Sequence, residues 1–85
     1  MKYDNKTEVT VFGASWCTGC KQLKGVLEMN NVLYSYVDID ANPALAKEYN
    51  VRSLPTTVVN AQGVRTVIAG NKPMDVLTVL KGGVE

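Results

Sequence analysis

The sequence predicts an α/β chain: a four-stranded mixed sheet flanked by three helices, in the order β-α-β-α-β-β-α, forming a single domain over residues 1–85. Three observations carry this. First, a β-favouring run, Val9-Thr10-Val11-Phe12, is followed by apolar residues at helical spacing, Leu23, Val26 and Leu27. Second, an alternating apolar–polar run ends at Asp40, just before the helix opening Asn42-Pro43. Third, two more β-favouring runs flank the turn Asn60-Ala61-Gln62-Gly63, and the second leads into a last helix.

Taken in order, residues 1–6 are polar and read as a loose lead-in. Strand one is expected over residues 7–12; apolar Val9, Val11 and Phe12 imply burial on both faces and a central place in the sheet. Gly13-Ala14-Ser15 is a loop. The first helix is expected over residues 18–29, with Lys21, Gln22, Lys24 and Glu28 on its wet side. Gly25 within it costs about 1 kcal/mol relative to alanine. Asn30-Asn31 suits the exit, because asparagine tolerates the left-handed conformation.

Strand two is expected over residues 33–40, an edge strand with Leu33, Val37 and Ile39 on one face and Tyr34, Tyr36 and Asp38 on the other. Asn42 caps a short helix over residues 43–49, setting Leu45 against Tyr49 and ending at Asn50. Residues 56–59 form strand three. A four-residue loop ending in Gly63 returns the chain as strand four, residues 64–69, in an antiparallel hairpin. Gly70-Asn71-Lys72 leads into the last helix, residues 73–81, burying Val76, Leu77 and Leu80 and stopped by Gly82-Gly83. Helical crossovers after strands one and two imply parallel pairing early in the chain.

Hydrophobic residues make up 46% of the chain and charged ones 20%, the balance of a globular protein rather than a disordered one. A net charge of +1 gives no electrostatic case for nucleic acid or an anionic membrane. No run approaches the roughly 20 apolar residues that span a bilayer. The polar start lacks the apolar segment of a secretory signal, so the expected location is the cytoplasm, where thiols stay mostly reduced.

Trp16-Cys17-Thr18-Gly19-Cys20-Lys21 holds both cysteines and the only tryptophan. Closing so short a ring removes little unfolded-chain entropy, so a bridge here is chemistry rather than scaffolding. Two thiols placed where a strand turns into a helix suit reversible disulfide exchange, since the helix start stabilises a thiolate. Zinc usually takes four Cys or His ligands, and this chain has two cysteines and no histidine. Copper(I), which favours soft thiolates, stays open as a binding alternative, with no resident metal site assigned.

Four features stand in order along the chain: Trp16-Cys17-x-x-Cys20-Lys21, Val37-Asp38-Ile39-Asp40-Ala41-Asn42-Pro43, Tyr49-Asn50-Val51-Arg52-Ser53-Leu54-Pro55-Thr56, and Gly70. Together they resemble the thioredoxin/glutaredoxin family. The resemblance spans about residues 8–81 and implies a minimal, glutaredoxin-sized thioredoxin fold. Three departures stand beside it. The sixteen residues before Cys17 leave no room for the extra strand and helix with which thioredoxins begin. Val11 occupies the position of the family's buried aspartate. Thr18-Gly19 is neither the Gly-Pro usual in thioredoxins nor the Pro-Tyr usual in glutaredoxins.

What the resemblance implies is a thiol–disulfide oxidoreductase acting on disulfide-containing protein substrates. Cys17 is the expected nucleophile and Cys20 the expected resolving thiol, with the Cys17–Cys20 disulfide as redox centre and no bound cofactor. Trp16, Thr18, Gly19, Leu54, Pro55 and Gly70 are the expected substrate-binding residues. Pro55 is expected cis, with the Leu54 backbone pairing a bound peptide. Trp16 reads either as an apolar docking lip or as a partly buried core residue. Lys21 and Arg52 either add positive potential at the thiols or are solvated surface charges. No base for Cys20 is evident, although Asp38 and Asp40 lie near the strand end that faces the site. The expected electron source is a flavoprotein reductase or glutathione, and the expected state a monomer. A glutathione-dependent glutaredoxin is the alternative, although Ala69-Gly70-Asn71-Lys72 is a poor match to that family's glutathione site.

Overall fold

A computed structural model describes residues 7–61 and 63–80. The lead-in expected at residues 1–6 and the helix stop expected at 81–83 lie outside these residues. The elements are β1 (Glu8–Gly13), α1 (Thr18–Met29), β2 (Ser35–Asp38), α2 (Pro43–Glu48), β3 (Thr56–Ala61), β4 (Val64–Ala69) and α3 (Pro73–Leu80). Their order is the one the sequence predicts, and the strands form one mixed sheet, β2-β1-β3-β4.

β1 is an inner strand because both its faces are apolar: Val9, Val11 and Phe12 are all buried. It pairs in parallel with β2, Val11 opposite Tyr36 and Gly13 opposite Asp38. The first crossover therefore gives the parallel pair expected. The second does not: β3 inserts on the other side of β1 and runs antiparallel to it, Val11 opposite Thr57. β4 closes the sheet as an antiparallel neighbour of β3.

β1 runs one residue later than expected, its last residue Gly13 pairing with Asp38 rather than lying in the loop. Three further elements differ from the sequence reading, each for a local reason. β2 is shorter, because at its end the Asp38 carboxylate and carbonyl take the amides of Asp40, Ala41 and Asn42 in a tight turn. Leu33 precedes the strand and is 83% exposed, while Val32 is the buried residue after α1. The β3–β4 hairpin is tighter than a four-residue loop: Ala61 pairs with Val64, and Gly63 stands at φ 82° beside the pair. α2 ends one residue early, and Asn50 at φ 57° turns the chain out. Asn42 holds the cap position of α2 but makes no side-chain cap bond; its amide donates to the Asp38 carbonyl instead.

Val9, Val11, Val59 and Ile68 of the sheet pack with Leu23 and Leu27 of α1 and Val76 of α3. Leu77 and Leu80 join this cluster only partly buried, as do Tyr34 and Tyr36 of the β2 segment. Burying side chains such as Leu23 and Leu27 is worth about 1.5–3 kcal/mol each. Phe12 meets Tyr49 at 5.2 Å between ring centroids, and the Arg65 guanidinium lies 4.8 Å above the Tyr49 ring. Leu45, expected against Tyr49, is exposed. Among the described residues no helix is long and apolar enough to cross a membrane.

Candidate active site

The chain leaves β1 at Gly13, turns through Ala14, and starts α1 on Cys17. The turn is held by the Cys17 amide donating to the Ala14 carbonyl at 3.1 Å. Cys17 is the residue capping α1, in extended conformation, and its Sγ accepts the Cys20 amide at 3.1 Å. A sulfur in that position receives an otherwise unpaired N–H at the positive end of the helix dipole. The first turn of α1 carries no acidic residue to oppose a thiolate. The helix start therefore favours the ionised form of Cys17.

Cys17 and Cys20 are joined as a disulfide with their Cα atoms 5.3 Å apart. The two sulfurs are not equivalent. Cys17 is 8% exposed and lines a groove with Trp16, Ile39, Val51, Arg52, Ser53 and Leu54, whereas Cys20 is 0% exposed. Ala14 and both cysteines form a small apolar cluster, with Ile39 and Leu54 packed against it.

The remaining candidates fall around this pair. Trp16 is 67% exposed, so it is a surface residue and not part of the core. Its indole Nε1 donates to Asp40 Oδ2 at 3.0 Å, which tethers the ring beside the groove. The Leu54–Pro55 bond is cis, as the resemblance implies. Pro55 is buried, its carbonyl accepting the Gly70 amide at 2.7 Å. That bond places Gly70, at φ 94°, in a conformation open to glycine. Gly19 approaches both Pro55 and Asn71, since a Cβ added there would stand 3.6 Å from an atom of each. Thr18 and Lys21 are exposed on α1, and Arg52, also exposed, donates to Asn50. The Asp40 carboxylate accepts from the Trp16 indole, and the Asp38 carboxylate accepts the Asp40 amide within the turn.

Sequence reasoning missed three contributors. Asn71 donates to Gln22 Oε1 at 2.9 Å, tying the Gly70 loop to α1. Tyr36 and Gly13 meet beneath Cys20: a Cβ on Gly13 would lie 2.6 Å from the Tyr36 hydroxyl and 2.9 Å from Cys20 Sγ. The signal for Tyr36 was its place on the opposite face of β2 from Val37, which the alternation revealed without saying which face meets α1.

Comparison with known proteins adds relatives to this geometry. The family model described as Thioredoxin matches residues 1–80. Thioredoxin H2 of Arabidopsis thaliana is 33% identical over 79 residues, covering 85% of this chain and 59% of its own. The bifunctional thioredoxin reductase/thioredoxin of Mycobacterium leprae is 33% identical over 72 residues, 75% of this chain and 16% of that protein. This chain thus spans less than two thirds of either curated relative. Among solved structures, mitochondrial thioredoxin 3 of Saccharomyces cerevisiae in its oxidised form superposes with a TM-score of 0.78 at 29% identity. That match covers 93% of this chain and 80% of the yeast one.

Proposed function

This chain belongs to the thioredoxin family, and from that membership we propose that it is a thiol–disulfide oxidoreductase that reduces disulfides in protein substrates. The observation that carries the reading is the inequality of the two sulfurs: Cys17 opens on the groove and accepts the Cys20 amide, while Cys20 is wholly buried behind it. In the reduced protein the Cys17 thiolate attacks a substrate disulfide and releases one substrate thiolate. Cys20 then attacks the Cys17 sulfur of the mixed disulfide, releasing the second substrate thiolate and closing the Cys17–Cys20 bridge. Two electrons pass to the substrate, and the bridge itself is the redox centre, without a further cofactor.

In this reading Leu54 supplies backbone for an extended substrate segment beside the buried Pro55. Trp16 forms the rim of the groove with Thr18 and Gly19, and Gly70 leaves room for the substrate backbone. The electron source is a flavoprotein reductase rather than glutathione. Supporting this, the Mycobacterium leprae relative is, by its name, a reductase and a thioredoxin in one protein. The protein works as a monomer in a reducing compartment, the cytoplasm.

Trapping tests the roles directly. Cys20→Ser is expected to accumulate mixed disulfides with protein targets, read as mass-shifted, reductant-sensitive adducts, and Cys17→Ser to accumulate none. Equal trapping by both variants overturns the assignment.

A further inference from the structure

Cys20 must lose a proton before it can resolve the mixed disulfide, yet it is 0% exposed. Val11, which faces Tyr36 across the β1–β2 pair, is equally buried and offers no acceptor. What lies against Cys20 is a gap in the side chains of β1. At Gly13 an added Cβ would fall 2.6 Å from the Tyr36 hydroxyl and 2.9 Å from Cys20 Sγ, closer than any methyl tolerates, so hydroxyl and sulfur both crowd onto the bare Cα of Gly13. Among the described residues the Tyr36 hydroxyl has no hydrogen-bond partner of its own. Its ring is fixed from α1 by Lys24, whose Nζ stands 4.0 Å from the ring centroid.

We propose that Tyr36 is a positioning residue for the second half of the exchange, its hydroxyl reaching past Gly13 to donate a hydrogen bond to the Cys20 thiolate. The inference rests on the disulfide-exchange reading above and concerns only its resolving step. A disulfide sulfur is a weak acceptor and a thiolate a strong one, so the bond forms when Cys20 is reduced and ionised. Burial first, and then the Asp38 carboxylate, push the Tyr36 phenol up from its ordinary value, so at neutral pH it keeps its proton and acts as a donor. The other titratable groups around it are Lys24 of α1, which favours a thiolate, and Tyr34 and Asp38 of the β2 segment. Cys17 adjoins Cys20 itself. In the step, the Cys20 proton passes to solvent, the Cys20 sulfur bonds to the Cys17 sulfur, and the bond from Cys17 to the substrate sulfur breaks. The departing thiolate leaves with that electron pair, and Tyr36 is unchanged.

Stopped-flow mixing of the reduced protein with one equivalent of dithiobis(nitrobenzoate) separates the steps. The first coloured thiolate reports attack by Cys17 and the second reports resolution by Cys20. Tyr36→Phe keeps the ring and Lys24 in place and removes only the oxygen. The first phase is expected to be unchanged, which also shows that the variant is folded. The second is expected to be about tenfold slower at neutral pH, the scale of one lost hydrogen bond to a charged group. That deficit should close as pH rises and Cys20 ionises unaided. In parallel, the Cys20 Cβ resonance of the reduced variant should titrate at higher pH than in the parent protein. A second phase as fast as the parent's, a deficit that persists at every pH, or equal slowing of both phases overturns the role of Tyr36. Failure of the parent protein to release either thiolate instead overturns the disulfide-exchange reading.

Discussion

Single side chains decide how the site works. One oxygen in the sheet is out of keeping with its surroundings: Thr57 is fully buried in β3 opposite Val11, and its Oγ1 has no hydrogen-bond partner among the described residues. A buried hydroxyl left unpaired is destabilising, and valine has the same branched shape without it. Thr57→Val is therefore expected to stabilise the fold by about 1 kcal/mol, read as a higher urea midpoint with an unchanged slope. An unchanged or lower midpoint would mean that the hydroxyl is satisfied in solution. The spacing of Cys17 and Cys20 made that pair legible in the sequence, because a motif records neighbours along the chain, whereas the cis bond before Pro55 and the place of Gly70 followed only from the family resemblance. Trp16 was ambiguous until its partner appeared, since Asp40 lies 24 residues away. Tyr36, Gly13 and Asn71 were illegible for the same reason: their contacts arise from strand register and from the approach of a distant loop.

The elements themselves follow closely from periodicity and punctuation. α1 begins and ends where its pattern predicts, and β4 matches as well, because a capping residue or a turn glycine marks those ends in the sequence. Ends set by tertiary pairing were less legible. β3 runs on to Ala61 because Val64 is there to pair with it, and β2 stops early because Asp38 captures the amides that follow. Gly25 is a flaw within α1 that the sequence raised and the structure explains only negatively. A Cβ placed there meets nothing within 4 Å, so no close packing requires glycine. Gly25→Ala should then stabilise α1 by about 1 kcal/mol, a rise of about 4–8 °C in Tm for a domain of this size. The measurement is thermal unfolding of the oxidised protein by circular dichroism. A fall in Tm would reveal a backbone constraint at residue 25 that the open space around it does not suggest.

Across the whole molecule the sheet and the second helix are unequally secured, and the difference bears on the groove. β1 and β3 are the inner strands; Val9, Val11, Phe12, Thr56, Thr57, Val58 and Val59 are all buried within them. α2 is six residues long and has no buried residue, and the chain beyond it runs through Val51, Arg52, Ser53 and Leu54 into the groove beside Cys17. Segments with few buried apolar contacts open locally, whereas central strands open only with global unfolding. Amide exchange followed by NMR on the oxidised protein should therefore find β1 and β3 protected to the global limit. The hydrogen-bonded amides of α2 should exchange faster by on the order of a hundredfold or more. Protection in α2 equal to that in β1 would mean that Tyr49, packed on Phe12, locks the helix to the sheet. If α2 does open separately, the groove wall moves while α1, packed on the inner strands through Leu23 and Leu27, keeps the two sulfurs in place.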